Sequence, residues 1–341
     1  MNTVHCDHPR RRSARLLVRL SNAYRRFLAV FLALLGPQAA YAIFAALARG
    51  VYRLLDPLRL RSEAQCRAAL AGRYPDEQIS RIAEQAFVHR AWNLADLMLA
   101  DRRLHAGTYD RYGGRIPEPY GSMLRDAQCR RQPVLLVTGY YGPFDLLPLL
   151  LGFNGIRAAA VYRAHPNPDF DAYRRAIRSR SGCEMVPDTQ AAVRLPQVLE
   201  SGGTVAILAD HHAPGRGIPI TYLGLPTAVA RTVGLLAWRY AAVVAVAALR
   251  RRRRPFQFEI VIADLFDSSA WHNEPEPVVY ITRRYTQALE RIVLEEPAQY
   301  LWAHARWGPA VAQRLTDEPR PAGPPYVTIR DSTARYPNPA R

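Results

Sequence analysis

The chain has 341 residues, 49% of them hydrophobic, so it can bury a sizeable core and a globular protein is the default. Its 46 basic residues, all arginine, outnumber 29 acids for a formal charge of +17, which favours anionic partners: phospholipid headgroups, nucleic acid, acidic carrier proteins or phosphorylated substrates. Four scattered cysteines, Cys6, Cys66, Cys129 and Cys183, form no C-x-x-C pair, which argues against a disulfide scaffold or a zinc module and fits reduced thiols in a cytosol-facing protein.

In chain order, residues 1–26 form a basic segment in which Arg10, Arg11, Arg12, Arg15, Arg19, Arg25 and Arg26 are concentrated. Phe27 to Ala48 then runs 22 residues without a charge, and a membrane-associated helix is expected over residues 27–55. Gly36-Pro37 lies inside the run, and Arg49, Arg53 and Arg59 follow it. Basic flanks on both sides leave orientation open, so a bilayer span, a broken or re-entrant helix on the cytoplasmic face, and a signal peptide cleaved near Ala40-Tyr41-Ala42 all remain readings.

From Glu63 to Ala100 the apolar residues recur three and four apart, a helical pattern, and residues 107–121 read as a connection rich in Gly, Tyr and Pro. Six β-rich runs follow, at residues 133–139, 157–163, 183–187, 204–210, 243–249 and 256–262, separated by segments long enough for helices. That alternation predicts an α/β domain over residues 56–314 with a mixed, largely parallel sheet flanked by helices. Ligands of such sheets bind at the carboxyl ends of strands, which singles out Tyr140 to Asp145, Arg163 to His165, and Asp210 to His212. A helix stopped by Pro297 comes next, and the Pro-rich tail from 315 to 341 lacks a burial pattern. The arginine run 250–254 reads as a solvated charge run, or as a dock for anionic headgroups or a carrier protein.

Four ordered stretches resemble the late acyltransferases of lipid A biosynthesis, relatives of the lysophospholipid and glycerophosphate acyltransferases. "YYGPFD" (140–145) matches that family's H-x-G-N-W-E motif position for position, keeping Gly142, the aromatic Phe144 and the acid Asp145, with Tyr140 in place of the histidine. "AVYRAHPNPDFDAYRRAIRSRSG" (160–182) is similar to its V-Y-R segment, with Arg163 as the matching basic residue. The stretch 202–240 resembles its Asp-Gln block, here Asp210-His211, followed by a strand ending at Gly224 and a helix; "PAQYLWAHARW" (297–307) is similar to its ending.

The resemblance implies a glycerophosphate acyltransferase-like fold and transfer of a fatty acyl group from acyl carrier protein or coenzyme A, as co-substrates, to a lipid or glycolipid acceptor. It implies a catalytic domain on the cytoplasmic face of the inner membrane, with membrane lipids and acyl carrier protein as partners. Tyr140, Asp145 and His211 become the expected catalytic residues, with Asp145 orienting the base; Gly142, Phe144, Arg163, Asp210 and Gly224 become the expected substrate-binding residues. No cofactor or metal is called for, and the histidines lack zinc-ligand spacing.

A phenol with an ordinary pKa near 10 is an acid at neutral pH and no substitute for a histidine base. Three readings follow: a relocated base, His211 or His212; an amine acceptor that needs little base, with Tyr140 donating to an oxyanion; or a lipid-binding relative without turnover. His304 is expected to pack beside Trp302 and Trp307, far from the strand ends. Nucleic-acid binding is disfavoured, because the basic residues are dispersed and no reader motif occurs.

Overall fold

The computed structural model describes residues 31, 34–213, 215, 217–304 and 306–307. The expected basic segment at residues 1–26 and the tail from 315 lie outside these residues. Six strands form one sheet in the order β3-β2-β4-β1-β7-β8, and they are the six β-rich runs of the sequence. They are β1 (Val134–Thr138), β2 (Ala158–Tyr162), β3 (Glu184–Pro187), β4 (Thr204–Leu208), β7 (Val243–Arg251) and β8 (Phe258–Phe266). All neighbours are parallel except β7 and β8. A separate antiparallel hairpin, β5 (Ile218–Tyr222) and β6 (Leu225–Val229), fills the connection after β4.

The central strand reads "VLLVT" and every residue of it is buried, as befits a parallel strand covered on both faces. Its side chains alternate between two cores. Leu135 and Val137 face one, with Val205 and Val244; Val134 and Leu136 face the other, with Ala206 and Ala245. The first core is closed by α2 (Asp56–Leu70), α7 (Ala191–Glu200), α8 (Thr232–Tyr240) and α9 (Pro277–Glu295); the second by α4 (Tyr120–Cys129) and α5 (Leu147–Phe153). The long α3 (Asp76–Arg103) serves both, with Ile79 to Ala86 in the first and Leu97 to Ala100 in the second. The helical pattern read from Glu63 to Ala100 is therefore two helices. Gly72, at φ +80°, and Pro75 interrupt it, and α3 restarts at Asp76.

Residues Leu34–Leu54 form the first helix, α1, kinked near its start where Gly36 adopts φ +84° before Pro37. It is long and apolar enough to cross a membrane by length and composition. Yet it has two apolar faces. Tyr41, Ala45, Ala48 and Tyr52 are buried, whereas Leu47 is 62% and Leu54 is 82% exposed, in a stripe with Ile43 and Val51. Tyr41 stacks on Trp92 of α3 and donates a hydrogen bond to Asp96. Ala40-Tyr41-Ala42, the small-x-small stretch, thus lies inside a helix docked on the domain.

Asp96 is fully buried and paired with Arg251 at the end of β7; the guanidinium also reaches Asn93 at 2.6 Å and His89 Nδ1 at 2.7 Å. The arginine run is therefore divided. Arg251 is a core residue, Arg250 pairs with Glu295, and Arg252 to Arg254 are exposed.

Candidate active site

The position of the site follows from the strand order. The chain leaves β1 through α5 toward β2 over one face, and leaves β4 through α8 toward β7 over the other, so a crevice opens between the carboxyl ends of β1 and β4. The pairing ends with Thr138 opposite Leu208, which brings the next residues of both strands level. Asp210, 1% exposed, accepts the backbone N–H of Tyr140 at 2.8 Å and ties the two loops together.

The Tyr140 hydroxyl lies 3.0 Å from Nε2 of His211. Phe144 meets the phenol edge-on, with ring centroids 5.1 Å apart. His304 lies over it at 4.6 Å and stands 5.4 Å from the His211 ring. Burial pushes the Tyr140 hydroxyl above its ordinary pKa, and the Asp210 carboxylate adds to this. The phenol is therefore protonated at neutral pH, within hydrogen-bond distance of the His211 ring. Burial also lowers the pKa of His304, whose enclosed Nε2 has no hydrogen-bond partner among the described residues.

The expectation for His304 is overturned by the path of the carboxyl-terminal segment. That segment turns back along the loop after β1: Tyr141 bridges to Tyr300, the Gly142 N–H donates to the Gln299 carbonyl, and the Leu301 N–H donates to the Tyr140 carbonyl. Trp302 and Trp307 stack on each other below, and His304 is left facing the phenol. The signal available in the sequence was the aromatic run itself, which had to be buried somewhere and finds its place against this loop.

Asp145 sits one turn on, in the short 3-10 turn that opens α5. Its carboxylate accepts from Arg174 at 3.1 Å and from Arg178, both on α6 (Pro168–Ser179), and no hydrogen bond joins it to Tyr140 or His211 among the described residues. Sequence reasoning passed over these two arginines. Their spacing of four places them on one helix face, and α6 is itself fixed by Asn167, whose side chain caps the N–H groups of Asp169 and Phe170.

Of the other expected residues, Arg163 is mostly exposed, pairs with Asp188 at 3.0 Å and lines the same opening as Tyr140 and Asp145. Gly142 serves the backbone: at φ +54° it lies so close to the Leu249 carbonyl that any Cβ would collide. His212 bridges to Val229 and lies 3.2 Å from the Thr227 hydroxyl, apart from the Tyr140 cluster. Gly224 is in the two-residue turn at the other end of the β5–β6 hairpin, following Leu223; both have positive φ, the geometry of a tight hairpin.

A cavity of about 460 Å³ opens beside these groups. Its lining includes the apolar Pro148, Val161, Met185 and Leu208, together with Tyr140, Asp145 and the arginines Arg90, Arg163, Arg174 and Arg178. A phenol in hydrogen-bond reach of an imidazole, beside a cavity lined by both apolar side chains and arginines, can move a proton next to an amphipathic anion.

A search of curated proteins finds none that matches. The family model for bacterial lipid A biosynthesis acyltransferases matches residues 23–308, which takes in α1, the whole sheet and the returning segment. The chain belongs to that family of acyltransferases.

Proposed function

We propose that the protein transfers a fatty acyl group from a thioester donor, acyl carrier protein or coenzyme A, to a hydroxyl or amine of a lipid acceptor at a membrane surface. The observation that carries this reading is the Tyr140–His211 hydrogen bond, 3.0 Å long, at the position the family motif gives to histidine. The acceptor oxygen attacks the thioester carbon. Its proton passes to the Tyr140 oxygen as the phenolic proton passes to His211 Nε2. Collapse of the tetrahedral intermediate breaks the C–S bond, and the thiolate takes the proton back along the same path.

The relay form follows because Tyr140 has a raised pKa and is no standing base, and His211 is the imidazole within hydrogen-bond reach of its hydroxyl. Arg163 and Arg174, whose charges reach the Tyr140 oxygen, face the negative charge that develops. The exposed stripe of α1 suits a helix lying in the membrane interface with Ile43, Leu47, Val51 and Leu54 in lipid, and this holds the cavity at the surface where its acceptor resides. The cytoplasmic face is the side on which reduced cysteines and thioester donors occur.

The test is a lipid profile by mass spectrometry of host membranes carrying the wild type, Tyr140→Phe or His211→Ala. An acylated species made by the wild type should fall about 10²–10⁴-fold in either variant. A species retained in both variants would exclude the relay. Identical profiles from folded protein in its native host, with and without the wild type, would instead establish a lipid-binding relative without turnover.

A further inference from the structure

We infer that the turn between β7 and β8, residues 252–257, is a docking site for the headgroups of anionic lipids in a bilayer surface. This goes beyond the acyl-transfer reading and rests on it only for the placement of α1 in the membrane interface. Arg252 is 61% exposed, and Arg253 and Arg254 are exposed beside it. Glu259 pairs with Arg252 at 3.3 Å, and no carboxylate holds Arg253 or Arg254 among the described residues.

A solvated charge run needs no fixed shape, but this one is pinned. The Arg252 N–H donates to the Gln257 carbonyl at 2.8 Å, and the Gln257 N–H donates to the Arg254 carbonyl at 3.2 Å. Phe256 is fully buried, its ring centroid 4.9 Å from that of Tyr112 and 5.1 Å from that of Phe258, and it holds φ at +57° to stay there. A phenylalanine rarely adopts that left-handed conformation, so the core contacts of its ring fix the backbone that displays the arginines. The root of the turn touches α1: the Arg251 guanidinium lies 5.9 Å from the Tyr41 ring and 5.8 Å from the Trp92 ring. The charged turn therefore adjoins the helix that carries the exposed stripe of Ile43, Leu47, Val51 and Leu54. A bilayer of net negative charge satisfies both features, offering hydrocarbon to the stripe and phosphate oxygens to the guanidinium forks. An acidic carrier protein would meet the arginines and leave the stripe in water. Each arginine near an anionic bilayer strengthens binding about fivefold, an effect that salt screens.

Co-sedimentation of the full-length protein with vesicles tests this without turnover. The wild type should bind vesicles of phosphatidylcholine and phosphatidylglycerol in equal parts more tightly than pure phosphatidylcholine, and added salt should shrink the difference. The double change Arg253→Gln, Arg254→Gln should lower that preference about tenfold or more while keeping the circular dichroism and the binding to pure phosphatidylcholine. The control Arg231→Gln, Arg239→Gln removes the same charge from exposed positions at α8, across the sheet, and should leave the preference nearly unchanged. An unchanged preference in the first variant would overturn the proposal; so would an equal fall in both, which would reduce the effect to net charge. Weaker binding of the first variant to an acyl carrier protein, with its lipid preference intact, would overturn it in favour of that partner. Equal affinity of the wild type for the two vesicles would overturn this proposal alone, whereas binding to neither would overturn it together with the interfacial placement of α1.

Discussion

At the level of single residues, His89 shows how a titratable group is locked into one state by its neighbours. Its Nδ1 accepts from Arg251, which only donates, so the ring must be neutral; burial and the adjacent charge hold its pKa well below the ordinary 6.5. In the unfolded chain the ring regains that ordinary value and binds a proton first as pH falls. The stabilisation is therefore full above pH 6.5 and is lost as pH drops toward the folded value; His304, also lowered, acts in the same direction. Stability by urea denaturation should fall between about pH 7 and 5, and His89→Gln, whose amide oxygen still accepts from Arg251 but does not titrate, should flatten that fall by up to about 1.4 kcal/mol per pH unit. An unchanged slope would place the titration elsewhere. The same residue-level detail was the least legible in sequence. Tyr140 and Asp145 could be found by their motif spacing, but the partners of Asp145 are four residues apart on a helix a different strand away. His304 was misjudged because chain distance from the strand ends says nothing about where a returning segment lies.

Among the elements, the strands were legible and the helices less so. Continuous apolar runs bounded by turn residues have few other fates in a parallel sheet, and all six appear in one sheet. The hairpin after β4 was only half foreseen, because "IPITY" and "LPTAV" each carry a proline in the strand, tolerated here in a two-stranded ribbon outside the main sheet. Helix α1 was read as uniformly apolar because both of its faces are: one packs on α3 and the other faces outward. That outward stripe makes a prediction at this scale. The double change Ile43→Glu and Leu47→Glu should release the protein from vesicles while leaving the domain folded, as read by flotation and circular dichroism. Membrane retention of that variant would shift the anchoring role to the residues before α1.

For the molecule as a whole, the apolar helix α1 and the loop after β1 are joined by one buried chain of contacts. Tyr41 of α1 binds Asp96, Asp96 binds Arg251, and the backbone of Arg251 exchanges two hydrogen bonds with the Gln299 side chain at 2.8 Å each. Gln299 in turn accepts the N–H of Gly142, two residues from Tyr140. Cutting away residues 1–54 would therefore remove a structural member of the domain. It would strip the cover from Tyr41's side of the Asp96–Arg251 pair, uncover Trp92, and loosen the support beneath Tyr140. Such a shortened protein should melt at a lower temperature and lose turnover even when offered water-soluble substrates, whereas the Ile43→Glu, Leu47→Glu protein should keep both. Helix α1 thus props the loop after β1 from a distance, so its outer face can be rewritten without damage only if the inner one is left in place.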